Sequence, residues 1–159
     1  MERYHQILTH PLFQETMEEL GKLEKERKFC NHTLEHFCDV ARIMYIFSLE
    51  EQSELSQDMI YATALLHDLG RVAQYKYGEP HHEAGKKVAE PILKDCGYDE
   101  EEIGKILGAI GCHRKEIEEA DELSLYLYRA DKLSRNCFAC KAVDECYWPE
   151  EKRNHTITV

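Results

Sequence analysis

His67 and Asp68 stand side by side in Leu65-Leu66-His67-Asp68-Leu69-Gly70, directly after an apolar run. Neutral imidazole and carboxylate are both good ligands for iron, manganese, zinc and similar ions. At a helix end, adjacent side chains can splay around one ion. Taken alone, the pair also fits a capping Asp beside a satisfied core His. Two distant residues change that balance. His36 lies in the apolar stretch His36-Phe37-Cys38-Asp39-Val40, and Asp131 lies in Tyr128-Arg129-Ala130-Asp131-Lys132-Leu133. A carboxylate on an apolar helix is costly unless it is paired or coordinated. Three separate apolar segments thus offer ligand-type residues in the order His, His-Asp, Asp.

Cysteine supplies a second constellation. Cys137, Cys140 and Cys146 have two and then five residues between them, and Cys30 lies far upstream. Four thiols in this pattern suit a structural zinc or a 4Fe–4S cluster. The arrangement resembles the iron–sulfur staple of certain nucleases and the cluster loop of some DNA glycosylases. Free thiols in a reducing compartment are the other reading. Cys38, Cys96 and Cys112 read as core residues.

The elements that must position these groups are helical. Apolar residues at helical spacing predict helices over 12–28, 32–49, 59–67, 82–95, 100–112 and 121–135. Thr9 or His10, Asn31, Ser56 or Gln57, and Asp99 are the candidate caps. Pro91 predicts a kink or a break in the fourth helix. Leu65, Leu66 and their neighbours cover so much of the third helix that it should be buried. The segment from 136 onward lacks periodicity, and 156–159 could be a short strand or a loose tail. The reading is an all-α domain over 1–135 with a Cys-rich extension over 136–159 packed on it.

Composition bounds what such a domain meets. The 159 residues carry a formal net charge of −11, with 43% apolar residues. That is core material for one domain. The charge disfavours nonspecific nucleic-acid binding. No apolar leader or membrane-length run is present. Seven Cys without a leader point to reduced thiols in the cytoplasm. A homo-oligomer stays open.

His36, His67-Asp68 and Asp131 together resemble the signature of the HD superfamily, over roughly residues 29–135. His67-Asp68-Leu69-Gly70-Arg71 and Tyr128-Arg129-Ala130-Asp131-Lys132-Leu133 look like its two most recognisable segments. The resemblance implies an all-α fold around one or two divalent transition-metal ions, iron, manganese or similar. It implies hydrolysis of a phosphomonoester or phosphodiester, here with a small phosphorylated metabolite or nucleotide as substrate. Family members with a second metal show a His four residues before a Gly and a later His at a helix end. His81, before Gly85, and His113 match those positions, which also fit exposed loop residues. Asp68 would be a shared ligand able to steer a nucleophilic water. Arg71 is the best cation for the developing phosphoryl charge, with Arg114 and Lys132 as weaker candidates. His32, one turn before His36, reads as a surface helix residue or a partner of the ligands. The loops 72–80 and 114–120 should shape the pocket. A diiron oxygenase that uses O2 and a non-catalytic metal or redox sensor are the rival readings.

Overall fold

The computed structural model describes residues 2–112 and 118–159. It contains eight α-helices and no strand among those residues: α1 (Tyr4–Thr9), α2 (Pro11–Leu23), α3 (Leu34–Glu50), α4 (Gln57–Leu66), α5 (Arg71–Tyr77), α6 (His81–Asp95), α7 (Glu100–Gly111) and α8 (Glu122–Leu133). The all-α reading holds, with two more helices than the periodicity predicted. The core gathers where α3, α4 and α8 meet, with Phe37, Val40, Met44, Ile60, Leu66 and Ala130 fully buried. At roughly 1.5–3 kcal/mol for each large apolar side chain removed from water, this junction is a firm support for the polar groups it carries.

Local chemistry explains the helix ends. His10 accepts from the amide of Leu12 and Pro11 opens α2; Ser56 caps α4. Asp99 and Glu102 form a reciprocal capping box at α7. The start of α3 corrects the expectation. Thr33, not Asn31, is the cap, and it accepts from the amide of His36. α2 likewise ends at Leu23 rather than near 28, because Glu24 turns inward to bind the amide of His32. His32 therefore lies outside the helix, on a connection whose shape is set by Glu24.

α6 runs through Pro91 without a break. Pro91 and Lys87 are both exposed, so the carbonyl that loses its amide partner can turn to water. The two unforeseen helices are short. α1 buries only Ile7, and Arg3 ties its start to Asp58 of α4 and Glu102 of α7 at 2.7 and 2.6 Å. α5 occupies most of the stretch expected to be loop 72–80. It buries no residue completely and stops at Gly78, whose φ of 70° is the left-handed conformation that ends helices.

Gly70 has a different task. A methyl group there would overlap the backbone of His81 and Gly85. The turn carrying His67 and Asp68 and the first turn of α6 can approach so closely only because residue 70 has no side chain. Gly85 faces back onto the same turn, 3.8 Å from the carbonyl oxygen of His67 as measured from where a Cβ would sit. The His81-to-Gly85 spacing thus has a packing cause, and it brings His81 towards Asp68.

Candidate metal centre

His36 comes from the first turn of α3, His67 and Asp68 from the turn after α4, and Asp131 from the last turn of α8. Their ligand atoms all lie within 4.8 Å of one another. Nε2 of His36 is 3.2 Å from Oδ1 of Asp131; Nε2 of His67 is 3.6 Å from that oxygen and 3.2 Å from Oδ2 of Asp68. Both Nε2 atoms are buried and make no hydrogen bond. The opposite ring nitrogens are engaged: Nδ1 of His67 donates to the carbonyl of Ala64 at 2.7 Å, and Nδ1 of His36 meets the hydroxyl of Ser134 at 3.2 Å. A ring whose Nδ1 is tied to the backbone has its Nε2 lone pair free for a cation. Two buried, unpartnered imidazole nitrogens facing two carboxylates fit a divalent ion.

The electrostatics agree with that donor set. Burial works against the charge on Asp68, but His67, Arg71 and His32 hold its carboxyl well below the ordinary carboxylate range. Burial likewise opposes the charge on Asp131, and the facing His36 and His67 keep it ionised. Burial pushes His36 down to about 4, against the pull of Asp131. His67 goes the other way, to about 10, because Asp68 and Asp131 outweigh its burial. Without a metal, one proton would sit on His67 between two carboxylates. A divalent cation replaces it with more charge at the same place.

The remaining candidates sort clearly. Arg71 donates from Nε to Oδ1 of Asp68 at 3.2 Å and from a terminal nitrogen to Gln74 at 3.1 Å. Lys132 reaches Oδ2 of Asp131 at 2.7 Å. His81 places Nε2 4.0 Å from Oδ1 of Asp68, and burial together with the Arg71 charge lowers it to about 4, so it is neutral at pH 7. These three residues line one cavity of about 330 Å³ with His67, Asp68 and Asp131. His113 and Arg114 lie outside the described residues.

One participant was misplaced by the sequence reading. His32 is 6% exposed, not a surface residue. Its Nδ1 meets Oε2 of Glu24 at 2.6 Å, and its Nε2 is 3.5 Å from Oδ2 of Asp68. Tyr75 donates to the same Glu24 oxygen at 2.6 Å. Burial disfavours a charged Glu24, but the bonds from His32 and Tyr75 bring it down to about 2. A buried carboxylate thus orients the imidazole that faces Asp68. The missed signal was Glu24 itself, an acidic residue at the end of the apolar face of α2.

A family model described as the HD domain matches residues 33–136, which include His36, His67, Asp68 and Asp131. The chain belongs to the HD family. A protein of Clostridium beijerinckii described as uncharacterized is 42% identical over 99% of each chain. Ribonuclease Y of Enterococcus faecalis and of Clostridium novyi are 25% and 27% identical over 81% and 79% of this chain. This HD chain spans only 23% of the length of either ribonuclease. A solved structure described as a predicted HD superfamily hydrolase, from an uncultured Thermotogales bacterium, shares the fold: TM-score 0.63, 22% identity, 88% of this chain and 80% of the other. No helix among the described residues is long and apolar enough to cross a membrane.

Proposed function

We propose that this HD protein is a metal-dependent phosphohydrolase acting on a small phosphorylated metabolite or nucleotide. The observation that carries the reading is the pair of buried, unpartnered Nε2 atoms of His36 and His67 aimed at Asp131 and Asp68. A divalent ion held by His36, His67, Asp68 and Asp131 would supply a water of lowered pKa and polarise a phosphoryl oxygen. Everything else is done by the chain. Asp68 accepts from Arg71, and its carboxylate is positioned to steer the attacking water. Arg71 and Lys132 bring two cations to a cavity whose nearest side chains are otherwise acidic or neutral. Charge that spreads over phosphoryl oxygens in the transition state is stabilised there. His81 faces the Asp68 oxygen that also accepts from Arg71 and, with His113, is the candidate ligand pair for a second ion.

A cavity of about 330 Å³ suits a mononucleotide-sized ligand better than a folded polymer. The net charge of −11 points the same way, since a long phosphate backbone would be repelled. The ribonuclease Y relatives make phosphodiesters a natural part of the substrate panel. Purified protein loaded in turn with manganese, iron or zinc should release phosphate from at least one phosphomonoester or short diester, and a chelator should abolish that release. Oxygen consumption with no phosphate release across the panel would replace the hydrolase reading with an oxygenase one.

A further inference from the structure

The residues that follow α8 carry little core. From 136 to 159 only Cys137 and Ala142 are buried apolar residues, while Phe138, Tyr147, Ile157 and Val159 are exposed. The segment is built from three-residue 3-10 turns, Cys137–Ala139, Val143–Glu145 and Glu150–Lys152. Turns of that length do not hold themselves. Yet the segment returns to the approach to α3: Lys28 pairs with Glu145, and Phe29 meets Tyr147 edge-on at 6.0 Å.

At this return point four thiols face one space. Cys30, Cys137, Cys140 and Cys146 all line a cavity of about 360 Å³, and none is in a disulfide. Arg27 donates to the carbonyl of Cys30 at 2.9 Å, and Arg153 donates to that of Cys146 at 2.8 Å. Lys28, Arg135 and Arg153 line the same cavity. One zinc ion with bonds of about 2.3 Å would need the sulfurs about 3.8 Å apart. Among the described residues, the only group of three or more ligand atoms mutually within 4.8 Å is the His/Asp set. Four thiols lining one cavity of about 360 Å³ leave room between them for an inorganic core larger than a single ion.

We propose that Cys30, Cys137, Cys140 and Cys146 ligate a four-iron–four-sulfur cluster that fastens the C-terminal segment to the start of α3. Four thiols lose their protons as they replace the ligands of an incoming cluster, and no electron is transferred in that exchange. The metal–thiolate bonds supply ordering energy that the segment's apolar residues do not. Sulfide content, colour and tryptophan emission report on this thiol site independently of any reaction at the His/Asp centre.

The test uses the full chain, purified without oxygen and supplied with iron and sulfide. Acid-labile sulfide distinguishes the two centres, since His and Asp ligands take up metal without sulfide. The wild type should hold about four sulfides per chain and absorb broadly in the visible. Trp148 is the single tryptophan of the chain and lines the cavity, so its emission should be quenched when the cluster is present. Cys30→Ser and Cys140→Ser should each lose the sulfide and the quenching while keeping helical circular dichroism. Cys38→Ser, on α3 and outside the cavity, should keep both. A wild type that takes up no sulfide overturns the proposal. So does one tightly held zinc per chain that Cys30→Ser releases, and so does a Cys30→Ser variant with its full sulfide content.

Discussion

His36, His67, Asp68 and Asp131 hang from or beside helices that each bury a broad apolar face, whereas Cys137, Cys140 and Cys146 hang from turns three residues long with almost no core beneath them. Both regions gather metal-ligand types, but they are held in different ways. The oxygen and nitrogen donors converge to within 4.8 Å because α3, α4 and α8 pack against each other through a shared apolar core. The thiols share a cavity, and the chain that bears three of them has only Cys137 and Ala142 as buried apolar residues. Rigid helices can hold like charges and unpartnered nitrogens together, since the cost is met by apolar burial elsewhere. A coil segment cannot, and its order should depend on what it binds.

The largest effect that would break this contrast comes at Asp68. Asp68→Ala removes a proposed ligand and the partner of Arg71, and phosphate release should fall by roughly a thousandfold or more, about 4 kcal/mol of transition-state stabilisation. Helical circular dichroism and the melting temperature should change little, because packing and not the ligands builds the centre. Turnover near that of the wild type would end the hydrolase mechanism; a variant that fails to fold would end the idea of a preformed site.

Gly70→Ala tests the packing side. Its added methyl meets backbone of α6, which cannot give as a flexible side chain would. A loss of about 1–3 kcal/mol in denaturant unfolding is expected, together with displacement of His81 and weakened activity. Unchanged stability would mean that the approach of α6 to the His67-Asp68 turn is looser than described.

What could be read from the residues follows the same division. Helices with long apolar faces were legible, as was the set His36, His67, Asp68 and Asp131 that the fold brings together, because a His or Asp on a buried face has few structural uses. Short elements were not. α1 buries one residue and α5 none, so periodicity had nothing to register. His32 lies outside α3 although the apolar spacing predicts a helix over 32–49; the interaction that excludes it is Glu24 turning back from the end of α2, a contact no local pattern encodes. His81 is singled out only by the family resemblance, and the overlap that a side chain at Gly70 would cause shows why its helix can approach Asp68 so closely.

His32 and Glu24 give the two smaller tests. His32→Gln removes an imidazole that faces Asp68, and metal affinity should drop about 10–100-fold with the fold retained. No change in affinity would reduce His32 to a packing residue. Glu24 has a folded pKa of about 2 against an ordinary 4.5. A depressed carboxyl stabilises the fold fully above pH 4.5, and that contribution fades as the pH falls towards 2. The wild type should therefore lose stability over this window by up to about 1.4 kcal/mol per pH unit more steeply than Glu24→Gln. Parallel acid-unfolding curves would show that the buried carboxylate is not held by His32 and Tyr75.

The most direct test of the account is an anomalous-scattering map from crystals of this protein soaked in manganese. The expected peak is bonded to Nε2 of His36, Nε2 of His67 and carboxylate oxygens of Asp68 and Asp131, with bonds of about 2.0–2.3 Å. A manganese peak elsewhere, or Asp131 turned to solvent while the other three bind, would contradict it.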